Sequence, residues 1–305
     1  MSKYYLLLSF FILHYGVSAQ LYFSENFEYP DYTTFKTEGL LKKQWTFFHS
    51  ENQDFNQNNL TDKWESIKTI DFTEKSPGDH AIRFKLRRMD SRILWNDVMV
   101  RGSIDNAQVD YHNFFTHIAR NEIATWDDPH RTAYKPNKKY KFEFDIMVPD
   151  NFEFEHNYCE NPSNANYDLT GQWHFSYDVR NGNTMSPISL RVVCNQWMLN
   201  LNPDNNPEEK DEDFIPLGKI EKGKWVRWKF EFRLHHKKKG FIRVWMDNKL
   251  VFSKEKAKTI FAKNYEKCKK STVYFKLGVY KPHWWSRTTD VRERVYYYDN
   301  VKISK

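Results

Sequence analysis

Three short segments of this chain carry side chains that could do chemistry together. In Val273-Tyr274-Phe275-Lys276-Leu277-Gly278-Val279-Tyr280-Lys281, strand geometry sends successive side chains to opposite faces. Phe275, Leu277 and Val279 make a core face. Tyr274, Lys276, Gly278 and Tyr280 make the other, where two phenols and an ammonium flank a glycine that leaves open space. Such a face suits an anionic, ring-shaped ligand with a tyrosine hydroxyl near its chemistry. Gly171-Gln172-Trp173-His174-Phe175-Ser176 has the same design, with Gln172 and His174 opposite Trp173 and Phe175. In Ala119-Arg120-Asn121-Glu122-Ile123, Arg120 and Glu122 share a face. Side by side on a concave sheet, these segments offer Arg120, Gln172, His174, Lys276 and Tyr280 to one bound chain. Singly, each residue has an ordinary explanation: a structural histidine, a cross-strand ion pair, a half-buried tyrosine.

The elements that must position them are strands. Lys141 to Val148 alternates cleanly and stops at Pro149-Asp150, and Trp225 to Leu234 alternates in the same way. His235 to Gly240 reads as a hairpin connection, Phe241 to Met246 as a strand, Asp247-Asn248 as a turn and Lys249 to Ser253 as the returning strand. Arg294 to Ser304 is another strand. Lys254 to Lys269 is the best candidate for a short helix or a connection. Many strands with few helices imply an all-β, two-sheet antiparallel sandwich. Long polar loops fall at Asn151–Leu169 and Asn202–Asp213, and alternating strands flank both, so neither divides the chain.

Lys3, the apolar run Leu6 to Leu13 and Val17-Ser18-Ala19 read as an export signal over residues 1–19. That run is too short for a membrane anchor, which needs about 20 residues. Residues 20–305 then form a single domain, expected to be secreted or periplasmic. Three cysteines, Cys159, Cys194 and Cys268, allow one disulfide. The net charge of +7 fits an acidic ligand as well as a solvated surface. With the signal, it speaks against nucleic acid as a partner. Aromatic content of 17% with 11 Trp suits both sugar stacking and a large β core. The acidic run Glu208 to Asp213 lacks the ligand spacing of a calcium loop, so structural calcium is not indicated and no cofactor is required. The Lys237-Lys238-Lys239 cluster could touch a polyanion or serve solubility, and Asn59-Leu60-Thr61 matches a glycosylation acceptor.

The three segments, in this order, resemble the jelly-roll polysaccharide lyases, the group containing alginate lyases, glucuronan lyases and heparin lyase I. Those families carry Arg-x-Glu, Gln-x-His and Tyr-Phe-Lys-x-Gly-x-Tyr strands. Gln172-Trp173-His174 looks closer to the heparin lyase I and glucuronan lyase side than to alginate lyases. Asn121 replaces the Ser or Thr of the alginate enzymes, and Ile123 is not followed by their second Arg. The resemblance covers roughly Phe27 to Ser304. It implies a concanavalin A-like β-jelly-roll with a concave groove, acting as a monomer on an anionic polysaccharide.

The implied chemistry is β-elimination from a uronic acid. The acid's carboxylate must be neutralised so that charge developing at C5 is stabilised; the family pattern points to Arg120 and Gln172. His174 or Tyr280 removes the C5 proton, and Tyr280 protonates the departing glycosidic oxygen. Each positioned proton transfer contributes about 10² to 10⁴-fold. A phenol with pKa near 10 is a poor base at neutral pH, so the Lys276 charge would favour the phenolate. Glu122, Lys276 and Tyr274 are assigned to substrate binding. So are Trp284, Trp285 and Arg287, which either stack sugars at the rim or fold onto the core. The rival reading is a non-catalytic, lectin-like sandwich. A glycoside hydrolase would need paired carboxylates about 5 to 5.5 Å apart, and no strand here advertises them.

Overall fold

The computed structural model describes residues 21–29, 34, 46–49, 78, 80–87, 119–125, 135–162, 165–175, 186–201, 213–260, 273–282, 284, 287 and 289–305. The signal-like residues 1–19, the glycosylation match, most of the acidic run, Trp285 and Cys268 lie outside them. Among the described residues, fourteen strands follow in chain order. The first five are β1 (Leu21–Glu25), β2 (Thr46–His49), β3 (Ile82–Arg87), β4 (Ala119–Ala124) and β5 (Lys139–Met147). Next come β6 (Asp168–Phe175), β7 (Ile188–Val193), β8 (Gln196–Leu201), β9 (Asp213–Lys219) and β10 (Trp225–Arg233). The last are β11 (Gly240–Met246), β12 (Lys249–Ala257), β13 (Val273–Lys281) and β14 (Glu293–Ser304).

They form two antiparallel, seven-stranded sheets. One runs β1-β14-β5-β10-β11-β12, with β3 also paired to β14; the other runs β2-β4-β13-β6-β7-β8-β9. The alternating segments therefore sit where their patterns required, and Asp247-Asn248 turns the β11–β12 hairpin with positive φ at both residues. The helix expected to start at Lys254 does not form there. β12 runs on to Ala257, because pairing to β11, with Lys254 opposite Ile242 and Ala257 opposite Gly240, satisfies that backbone.

Inward-facing aromatics from both sheets fill the sandwich. Trp173 lies 4.7 Å from Phe230 and stacks on Phe275 at 5.0 Å, while Phe142 stacks on Phe232 at 5.1 Å. Each such ring buries about 150–250 Å², which locks the β13 and β6 faces in place. Phe275, Leu277 and Val279 are fully buried, as their alternation predicts. A smaller apolar cluster of Ala165, Tyr167, Leu169, Val193, Cys194 and Met198 lies apart from this core, with Phe214 and Tyr280 packed on it. Within it, the Cys159–Cys194 disulfide ties the loop before β6 to the β7–β8 turn. No helix among the described residues is long and apolar enough to cross a membrane.

Candidate active site

β4, β13 and β6 are adjacent, so the three segments do meet on one sheet. In register, Arg120 lies opposite Tyr280 and Glu122 opposite Gly278. On the other side of β13, Gln172 lies opposite Lys276 and His174 opposite Tyr274. Glu122 and Gln172 thus flank β13 and join across it: Gln172 Nε2 donates to Glu122 Oε1. Gly278 permits this crossing. It adopts φ +132°, and a Cβ there would lie 2.6 Å from the Glu122 Cα and closer still to the Asn121 carbonyl. The space expected above the glycine is therefore filled by the β4 backbone, and is not open to a ligand. β13 also shifts register against β6 between Leu277 and Tyr280, the mark of a bulge. Beneath it, the buried Tyr298 hydroxyl lies 2.6 Å from the Gly278 carbonyl and 2.8 Å from that of Thr170. Burial pushes this phenol well above its usual pKa, so it remains a donor.

The hydrogen-bond chain continues to His174, whose Nε2 lies 3.0 Å from Gln172 Oε1. A carboxylate only accepts, so Glu122 fixes which way the Gln172 amide faces. The amide oxygen then requires a proton on His174 Nε2, which leaves Nδ1 as the basic nitrogen of the neutral ring. The Lys276 ammonium stands 4.0 Å from Glu122 Oε2, and the Tyr274 ring stacks on His174 at 5.6 Å and 19°. Glu122 and Gln172 are each 1% exposed and Lys276 is 3% exposed. Glu122, expected to touch substrate, is instead engaged inside the protein. His174 and Tyr280 are partly open to solvent.

The phenol beside His174 is therefore that of Tyr274, not Tyr280. Tyr280 pairs with Leu169 on β6, five residues from His174, or about 17 Å along the strand. A ligand touching both His174 and Tyr280 must lie along the sheet above the Glu122–Gln172 pair. Sequence reasoning missed a further cation in the Tyr280 row. Arg191 pairs with Leu169, donates to Ser189 at 3.0 Å and Asn200 at 2.6 Å, and lies 4.3 Å from the Tyr167 ring centre.

A buried ion cluster, also missed, anchors the end of β13. Lys281 Nζ lies 2.7 Å from Asp168 and 3.0 Å from Glu155, and Arg294 lies 2.6 Å from Asp168 and 3.0 Å from Glu155. The Tyr296 hydroxyl donates to Asp168 at 2.5 Å. Burial opposes the Asp168 charge, but Arg294 and Lys281 outweigh it and hold the carboxyl below its usual pKa. The alternation Tyr296-Tyr297-Tyr298, with both outer phenols turned inward, was the available signal. Trp284 belongs to this scaffold and not to a sugar-stacking rim: it is fully buried, and its indole donates to the Val291 carbonyl at 3.0 Å. Arg287 is partly exposed and donates to the Ala165 carbonyl. Among the described residues, no group of three His, Cys, Asp or Glu side chains is placed to hold a metal ion.

Two antiparallel sheets, one carrying this polar network, define a jelly-roll sandwich. The chain belongs to the polysaccharide lyase family, whose model matches residues 39–302, and it is a polysaccharide lyase. No curated protein sequence matches it. Among solved structures, it is similar to an endo-β-1,4-glucuronan lyase from the fungus Trichoderma reesei, at 13% identity and a TM-score of 0.53, covering 86% of this chain and 87% of that one. It is also similar to an alginate lyase from Pseudomonas aeruginosa, at 13% identity and a TM-score of 0.42, covering 76% and 88%. At such identity the first likeness shows the shared fold.

Proposed function

We propose that this lyase is exported and cleaves a uronic-acid-containing anionic polysaccharide by β-elimination, with heparin, heparan sulfate or glucuronan ahead of alginate as substrate. The observation that supports it is the buried Glu122–Gln172–His174 chain, which ends in a partly exposed imidazole with a defined basic nitrogen. His174 Nδ1 takes the C5 proton, the C5–H electron pair forms the C4=C5 double bond, and the C4–O bond breaks. The imidazolium then gives that proton to the departing oxygen, since Tyr280, about 17 Å along the strand, does not reach an oxygen on the vicinal carbon. Arg120, in register with Tyr280, is the cation assigned to the carboxylate of a neighbouring sugar along the sheet. Gln172 acts here through His174 and not as a carboxylate ligand, since it is buried.

The residues that set this chain apart from the alginate pattern face the core. Trp173 is fully buried, and Asn121 donates to the Lys85 carbonyl at 3.0 Å. The polymer is therefore decided by assay: heparan sulfate, glucuronan and alginate, each followed by the ultraviolet absorbance of the unsaturated product. His174→Ala should lower kcat by about 10² to 10⁴-fold while polymer binding persists. Normal turnover by that variant refutes the role of His174. The disulfide supports export, since such bonds persist in oxidising compartments. Family membership weighs against the lectin reading.

A further inference from the structure

A second concentration of charge lies on the outer face of the β1-containing sheet, among β5, β10, β11 and β12. Lys139, Arg233, Lys238, Lys239, Arg243 and Lys256 surround a depression of about 380 Å³, within the size range of small-ligand pockets, about 300–1,000 Å³. Two carboxylates also line it, and both are engaged. Glu231 lies 3.0 Å from Lys139 and 3.7 Å from Arg243, and Glu255 lies 2.7 Å from Arg243. Arg233, Lys238, Lys239 and Lys256 have no carboxylate partner among the described residues. Arg233 Nε is buried without a hydrogen-bond acceptor, and its guanidinium lies 5.6 Å from the Phe241 ring centre, with Arg243 at 5.0 Å on the same ring. The floor is thus a ring with two guanidinium groups beside it, lined by three further ammonium groups. Burial first, then His236, push the neighbouring His235 imidazole below its usual pKa, and the charges of Lys239 and Lys237 act in the same direction.

We infer that this depression is a non-catalytic binding site for an acidic polysaccharide segment, taking its carboxylate or sulfate groups on Arg233, Lys238, Lys239 and Lys256. Charge complementarity selects a polyanion, and strand pairing of β10, β11 and β12 fixes where the donor side chains start. The inference rests on the reading of this chain as a lyase of acidic polymers. A long substrate held on this outer face keeps the enzyme on the chain between cuts, whereas a short oligosaccharide reaches only the groove.

The test uses the whole protein with Lys238→Ala, Lys239→Ala and Lys256→Ala combined, and the matching Lys→Arg triple variant as control. Mobility in gels containing glucuronan or heparan sulfate reports binding, and tetrasaccharide turnover reports the groove. The alanine variant should bind both polymers about two- to tenfold more weakly at low salt, with a shallower salt dependence. Its tetrasaccharide turnover should be unchanged, and the arginine variant should bind normally. Loss on heparan sulfate alone assigns the site to sulfate; loss on glucuronan as well assigns it to carboxylate. Unchanged binding of both polymers, equal loss of tetrasaccharide turnover, or retention only on anionic lipid vesicles overturns the inference. Failure of the wild type to make unsaturated product would sink the eliminative reading alone, since binding is read independently.

Discussion

Glu122→Gln separates what the buried network does for stability from what it does for turnover. The Lys276 ammonium and Glu122 carboxylate are 4.0 Å apart, with side chains 4% and 1% exposed. Two unit charges at that distance interact by about 4 kcal/mol at an effective dielectric of 20. Removing one partner of a buried pair typically costs about 3–5 kcal/mol, so Glu122→Gln should lower unfolding stability by about 3 kcal/mol. Lys276→Met should cost slightly less, because Gln172 still donates to the remaining carboxylate. The double variant buries no charge at either position and should recover to within about 1 kcal/mol of the wild type. Activity should not recover with it. An amide at position 122 both donates and accepts, so Gln172 can turn and His174 loses its single tautomer. Where a buried carboxylate fixes a catalytic imidazole directly, the amide substitution costs about 10⁴ in kcat. Acting through one intervening amide, the loss here should be about 10². Urea unfolding, kcat from product absorbance and nitrogen chemical shifts of the His174 ring measure the three quantities. A Glu122→Gln protein that unfolds within 1 kcal/mol of wild type, or a double variant with normal kcat, would falsify this account.

Gly278→Ala should cost more than about 2 kcal/mol and most activity, since φ is positive and the β4 backbone occupies the Cβ position; normal thermal unfolding and turnover would contradict the crossing. Replacing Cys159 and Cys194 by serine opens a loop of sequence separation 35. Denaturation should then reveal a loss of about 3–4 kcal/mol, whereas no change would show that the loop is held by packing alone. Burial, reinforced by Asp145 and Glu28, raises the Asp299 carboxyl from 3.8 to about 6. The folded state therefore holds this proton more tightly than the unfolded chain, and the stability present at low pH is lost as pH rises through about 6. Asp299→Asn should flatten that slope in unfolding measured from pH 4 to 8, and an unaltered slope would place its origin elsewhere.

Alternation was legible because it is local. Each strand's inward set, such as Phe142, Phe144 and Ile146 or Phe275, Leu277 and Val279, follows from neighbouring residues alone, and with it the sandwich and the core. The same locality placed Gln172 with His174 and Lys276 with Tyr280. Register is not local. Which tyrosine stands beside His174 depends on pairing between β6 and β13, about a hundred residues apart in the chain, and on a bulge at Gly278 that no periodicity announces. The Lys281–Asp168–Glu155–Arg294 cluster joins four separated segments, and no local spacing brings its charges together. Trp284 likewise carried no mark to distinguish a sugar platform from a core side chain. Residue order thus determined which faces exist and what chemistry they carry. Tertiary pairing decided which groups touch, because the Gln172–Glu122 hydrogen bond depends on register across strands whose separation along the chain no local pattern encodes.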